Sequence, residues 1–168
     1  SHDDHDSFDR KRLTPFEDAF KLMLAPGGVQ IYYGDELARP MFGPAGTFGD
    51  ANLRTFMNWP DLETPSTQAL LAHWQKLGQF RQSHDAVGSG VHQALSQSPY
   101  VFKRELGQED KVLVASGLSV GHKRLSVYQM FEDGTRLLDY YSSQSLVVEQ
   151  GKVTFESPYN YVLLGVKR

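Results

Sequence analysis

The 168-residue sequence contains no cysteine, which excludes disulfides and thiolate metal sites. It has no apolar run approaching about 18 residues, so no membrane-spanning helix is expected. No secretory leader is visible either, because the first apolar run lies beyond Arg12. Positive charge is not in excess. With 17 Lys and Arg against 20 Asp and Glu, the formal charge is −3 and nucleic acid is not an expected partner. There is no internal repeat, no nucleophile elbow, no P-loop and no dinucleotide fingerprint. The stretch "GLSVGHKR" has too few glycines, too late after its strand, to cradle phosphate.

What is present is concentrated oddly. The chain opens "SHDDHDSFDR", its densest cluster of titratable groups, where order is ordinarily weakest. His2, Asp3, Asp4, His5 and Asp6 have the imidazoles and carboxylates of a first-row metal site. No second cluster downstream completes a cage, so no metal is assigned. The other reading is that the chain begins inside an active site.

The texture changes partway. In residues 1–86, "TPFEDAFKLMLAPGG" predicts a helix over 15–25, with Thr14 as N-cap, Pro15 at N1 and Glu17 closing a capping box. Phe16, Phe20, Met23 and Leu24 form its apolar stripe. "VQIYYG" predicts a strand over 29–33, and residues 34–65 read as one long loop, a length usually tied to function. A second helix is predicted over 66–82, capped by Thr64 and Pro65, with Leu70, Leu71, Trp74, Leu77 and Phe80 on its apolar face. Residues 87–168 instead predict eight short strands, near 91–95, 99–106, 111–118, 124–130, 135–140, 145–149, 152–156 and 160–166. Turn signals such as "GQED", "EDGT" and "EQGK" separate them, the pattern of an antiparallel β-sandwich. Lys103, Arg104, Lys123 and Arg124 read as solvated faces and turns. One strand between two helices cannot form a sheet, so the 29–33 segment is expected to pair outside the first half of this chain.

The order "SHD", "LAPGGVQIYYGDE", "GDANLRTFMNW" resembles the last part of the α-amylase family of (β/α)8-barrel glycoside hydrolases. Together with "LLAHWQKLGQFRQSHDAVGSG", it is similar above all to the periplasmic α-amylases of Gram-negative bacteria. The resemblance covers essentially the whole chain. It implies that residues 1–86 are the end of the catalytic barrel, from the close of strand 7 through helix 8. Residues 87–168 would be the all-β domain C.

By this resemblance Asp3 is the carboxylate that stabilises the oxocarbenium-like transition state, and His2 donates a hydrogen bond to the same sugar. Both would lie at the end of a barrel strand, on the face where such enzymes keep their chemistry. Asp35 and Glu36 are adjacent on the expected strand and would point to opposite faces, so they cannot flank one glycosidic bond. Their role is read as structural, with Arg54 or Arg39 as partner. Trp59 keeps a chance of touching substrate or domain C.

The nucleophile and general acid of a retaining glycosidase would come from barrel strands 4 and 5, upstream of this chain, so the piece alone is expected to be inactive. The resemblance further implies an α-1,4-glucan substrate, the remainder of the barrel as partner, and a periplasmic or secreted location. It supplies no cofactor within this piece and allows calcium in the parent enzyme. Exposed edges leave self-association open. A non-catalytic carbohydrate-binding β-sandwich is the competing reading.

Overall fold

The computed structural model describes residues 11–41 and 53–167. His2, Asp3 and the rest of the acidic terminus lie outside the described residues. The chain divides into two compact units, Ser1–Gly78 and Gln79–Arg168. The division falls inside a long helix, and the composition shift at 86/87 lies just beyond its end.

In the first unit, helix α1 spans Pro15–Met23 and α2 begins at Pro65 and runs to Ser83. Both start at a proline, whose fixed φ suits the first turn and whose missing N–H has no partner there to lose. Thr64 caps α2, its Oγ1 accepting the Thr67 N–H at 3.3 Å. The capping box expected at Thr14 does not form. The Thr14 hydroxyl donates to Asp18 Oδ2 at 2.7 Å, and Glu17 pairs with Lys21 one turn on, also at 2.7 Å. Ala19, Phe20, Met23 and Leu24 are buried, but Phe16 is 36% exposed and lies at the margin of the stripe. On α2, Leu70, Trp74, Leu77 and Phe80 are buried and Leu71 is half-buried. His73 shares that face at 1% exposure.

Residues 28–32 form no ladder. The β-branched and aromatic signal there is a demand for neighbours, and none is present among the described residues. The long loop is not featureless, since short 3₁₀ turns occupy Asp35–Leu37 and Trp59–Glu63.

The second unit is antiparallel throughout its ladders. Its strands are β1 (Val91–Gln97), β2 (Tyr100–Leu106), β3 (Asp110–Ser116), β4 (Gly121–Ser126), β5 (Arg136–Asp139), β6 (Gln144–Val147), β7 (Lys152–Ser157) and β8 (Val162–Val166). A short helix, α3 (Ala86–Ser89), precedes them. Six strands form one sheet in the order β1-β2-β3-β8-β5-β6, and β4 pairs with β7 in a second. Leu113 and Ala115 of β3, Leu137, Leu146 and Leu164 of the large sheet, and Leu125, Val153 and Phe155 of the small one belong to a single apolar cluster. Two sheets closed on one core is the sandwich arrangement that period-2 patterning predicts. Val112 through Ala115 are all buried, so β3 is covered on both faces.

The second unit also buries charge. His84 lies against Phe80 and Tyr140, with ring centroids 5.2 and 5.1 Å away, and its Nδ1 is 2.7 Å from Asp110 Oδ1. Asp110 Oδ2 accepts the Ala86 N–H at 2.9 Å. Asp139 accepts the N–H groups of Tyr141 and Leu163, joining the β5 end to β8. Arg104 and Lys123 are 4% and 3% exposed, contrary to their expected solvation. Arg104 donates to the Val87 carbonyl, and the Lys123 ammonium to the carbonyls of Ser119, Gly121 and Ser157. In both cases the strand phase explains the position. Arg104 lies in register with buried Phe102, and Lys123 with buried Leu125.

Candidate functional site

Of the residues singled out in the sequence, Asp35, Glu36, Arg54 and Trp59 lie in the described part of the first unit, where the buried side chain that ties the segments together is Arg39. Gly34 turns the chain with φ +84°, and the 3₁₀ turn that follows carries Asp35 and Glu36. A Cβ at position 34 would lie 2.6–2.7 Å from three atoms of the Arg39 side chain, so only glycine fits.

Arg39 is fully buried and has no carboxylate partner among the described residues. Its guanidinium is satisfied by carbonyls instead. Nε donates to Tyr33 O at 3.0 Å, one terminal nitrogen to Leu53 O at 2.9 Å, and the other to the carbonyl and hydroxyl of Thr55. The Tyr33 ring lies 4.0 Å from the guanidinium carbon, a cation–π contact. The tyrosines close the same seam, Tyr32 donating to Leu53 O at 3.2 Å and Tyr33 to Thr55 O at 2.9 Å. Burial raises the Tyr32 pKa first and its Tyr33 neighbour second, while Arg39 and Arg54 oppose both.

Asp35 does not pair with Arg54 or Arg39. Its carboxylate takes Arg12 at 2.7 Å, and Arg12 Nε donates to the Arg39 carbonyl at 3.1 Å. The pairing has a simple cause. The Arg39 fork is used up on backbone carbonyls, leaving Arg12 as the cation at the carboxylate. Glu36 is half-buried, without a hydrogen bond to another described residue, and Arg54 is exposed. Asn58 ties the loop to the turn, donating to Leu37 O at 3.1 Å. Trp59 is 62% exposed and Phe56 is 97% exposed. Below this region, His73 Nε2 lies 2.8 Å from the Phe16 carbonyl and joins α2 to α1. Burial lowers the His73 pKa to about 4, so the ring is neutral and Nε2–H is the donor.

The arrangement therefore builds no acid–base pair from Asp35 and Glu36. It is a clamp that binds residues 33–40 to residues 53–58. The sequence signal for Arg39 was weak, because one arginine in a loop does not announce burial. No three His, Asp or Glu side chains converge into a metal site among the described residues.

This fold resembles that of the C-terminal region of α-amylases, and part of the chain is similar in sequence to one of them. It is 51% identical over 94 residues to the periplasmic alpha-amylase of Escherichia coli (strain K12), a match covering 55% of this chain and 14% of that enzyme. A crystal structure of an Anoxybacillus alpha-amylase superposes with a TM-score of 0.63 at 18% identity, over 92% of this chain and 32% of the other. The enzyme AmyP, crystallised in complex with maltose, superposes with a TM-score of 0.61 at 13% identity, over 95% of this chain and 36% of its own. No family model matches the chain. The chain thus spans about a third or less of the length of these relatives.

Proposed function

We propose that the chain is the C-terminal portion of a retaining α-amylase-type hydrolase that cleaves α-1,4-glucosidic bonds of starch or maltodextrins in the periplasm or outside the cell. The observation that carries this is the 51% identity to a periplasmic α-amylase. In this reading Asp3 faces the cationic sugar of the transition state and His2 positions it. A carboxylate of this kind lowers the barrier without forming or breaking a bond, because it stabilises charge that is absent from the ground state. The Arg39 clamp and the Arg12–Asp35 pair hold the segment that follows the last barrel strand. The remainder of the barrel supplies the nucleophile, the proton donor and the cover for exposed Phe56 and Trp59. Without that cover the isolated chain self-associates, since exposed apolar surface favours association.

The test is the kcat of the complete enzyme carrying Asp3→Asn, which keeps the shape and removes the charge. Loss of one such electrostatic contact lowers kcat on the order of 10²–10³-fold. His2→Ala should lower it less, and the isolated chain should release no reducing sugar from starch. Unchanged kcat in the Asp3→Asn enzyme would overturn the assignment.

A further inference from the structure

The second unit carries a cleft that the proposed hydrolytic chemistry does not use. It has a volume of about 560 Å³ and lies between the β4–β5 connection and the β6–β7 turn, lined among others by Tyr128, Gln129, Glu132, Asp133 and Gln150. Two further clefts adjoin it. One of about 220 Å³ shares Glu132, and one of about 540 Å³ shares Gln150. The polar side chains that line the first cleft beside an aromatic ring are the groups that fix a ligand's orientation in such clefts.

Three features distinguish the groove from ordinary surface. Tyr128 is 70% exposed, although large aromatics contribute most when buried. It stands on a rigid base. A Cβ at position 151 would lie 3.1 Å from Tyr128 Cδ2 and 3.3 Å from its Cβ, so Gly151 lets the tyrosine pack against the turn. That turn is pinned by Val127 N–H to Gly151 O at 2.9 Å, Gly151 N–H to Asp133 Oδ1 at 2.7 Å, and Gly134 N–H to Val148 O at 2.8 Å. Finally, Gln129 and Gln150 both line the cleft with left-handed backbones, at φ +63° and +53°. Gln150 and Gly151 are the central residues of a two-residue hairpin turn, where the backbone favours Asn, Asp or Gly. A longer amide side chain at such a position is a local strain that folding does not ask for, and strain of this kind gathers at binding sites.

The chemistry of the lining selects the ligand. An exposed ring with a rigid backing offers a flat apolar face, and the amides and carboxylates beside it can donate to and accept from hydroxyls. The lining carries one cation, Lys111, and two carboxylates, Glu132 and Asp133, which gives no field for a polyanion. The turn's N–H and C=O groups named above are already paired, which leaves them no part in a β-ladder with a peptide. We propose that this groove binds a neutral glucan chain, with Tyr128 stacked on a sugar ring and Gln129 and Gln150 bonded to its hydroxyls. The choice of an α-linked glucan rests on the function proposed above.

The test is a calorimetric titration of the chain with maltoheptaose, with cellohexaose as the control sugar. Saturable binding of maltoheptaose is expected, weakened at least about tenfold by Tyr128→Ala and changed less than about threefold by Tyr128→Phe. Thermal melts of each variant, expected to match the wild type because Tyr128 is exposed, guard against misfolding. Absence of saturable binding to either sugar, or equal binding by Tyr128→Ala, overturns the groove assignment while leaving the Asp3 dependence of the parent intact. Binding of cellohexaose alone, with the same Tyr128 dependence, overturns the α-glucan specificity and not the groove.

Discussion

Replacing Gly165 by alanine tests whether the buried His84–Asp110 pair fixes the second unit. Gly165 lies in β8, paired with Val112 on one side and Leu138 on the other. A Cβ there would lie 2.5 Å from His84 Cε1, and closer still to Nε2. The imidazole has nowhere to retreat. It is fully buried between Phe80 and Tyr140 and bonded to a carboxylate that also holds the Ala86 N–H. Overpacking of this kind costs about 1–3 kcal/mol, and displacing His84 from Asp110 forfeits a charge-assisted hydrogen bond of about 1.5–3 kcal/mol. The sum, roughly 2.5–6 kcal/mol, is read from urea unfolding followed by circular dichroism. The decisive measurement is the same substitution in a His84→Ala background, where the added methyl meets a vacated space. There Gly165→Ala should cost less than about 1 kcal/mol, a coupling of about 2 kcal/mol or more. An equal loss in both backgrounds would show that the glycine answers to its strand and not to the histidine.

Two further outcomes follow from the first unit. His73 has its pKa lowered by burial from 6.5 to about 4, so below pH 6.5 the unfolded chain takes up a proton that the folded chain refuses. Stability contributed by this group is present above pH 6.5 and is lost as pH falls towards 4, by about 3 kcal/mol in the limit. His73→Gln should flatten that part of the stability–pH curve measured by urea unfolding, and an unchanged slope would count against it. Arg39→Lys keeps the charge but loses the planar fork, leaving carbonyls unpaired at a buried site. A loss of about 2–4 kcal/mol is expected, seen as faster amide hydrogen exchange across residues 33–40, and unaltered protection would refute the clamp.

The strands of the second unit were legible because period-2 alternation reports burial directly, as in β7, where Val153 and Phe155 are buried and Thr154 and Glu156 are exposed. In "RLSVYQM" the strand expected over 124–130 instead ends at Ser126, and residues 128–130 form a turn. The buried charges were not, since charge type argues for solvent while phase argues for the core. Arg104 and Lys123 show that phase prevails when backbone carbonyls are in reach. The capping box at Thr14 failed because Lys21 and Asp18 offered nearer partners to Glu17 and the hydroxyl. The 29–33 segment, expected to pair outside the first half of this chain, forms no ladder among the described residues. A ladder depends on a second chain segment, and no local pattern can supply one. Asp35 was expected to pair with Arg54 or Arg39 and instead takes Arg12, because the Arg39 fork is saturated by other groups, which only three dimensions show.

The Lys123 ammonium, held by the carbonyls of residues on either side of the β3–β4 turn and at the end of β7, does the work that a bound cation does in many loops. A dissolved ion occupies its cage in proportion to its concentration and leaves when chelated. Here the cation is tethered by its own side chain, so its local concentration is set by chain geometry and its stoichiometry is always one. Buried among carbonyls, it is also screened little by salt. The β3–β4 connection and the end of β7 are therefore tied together by a cation that no chelator can remove.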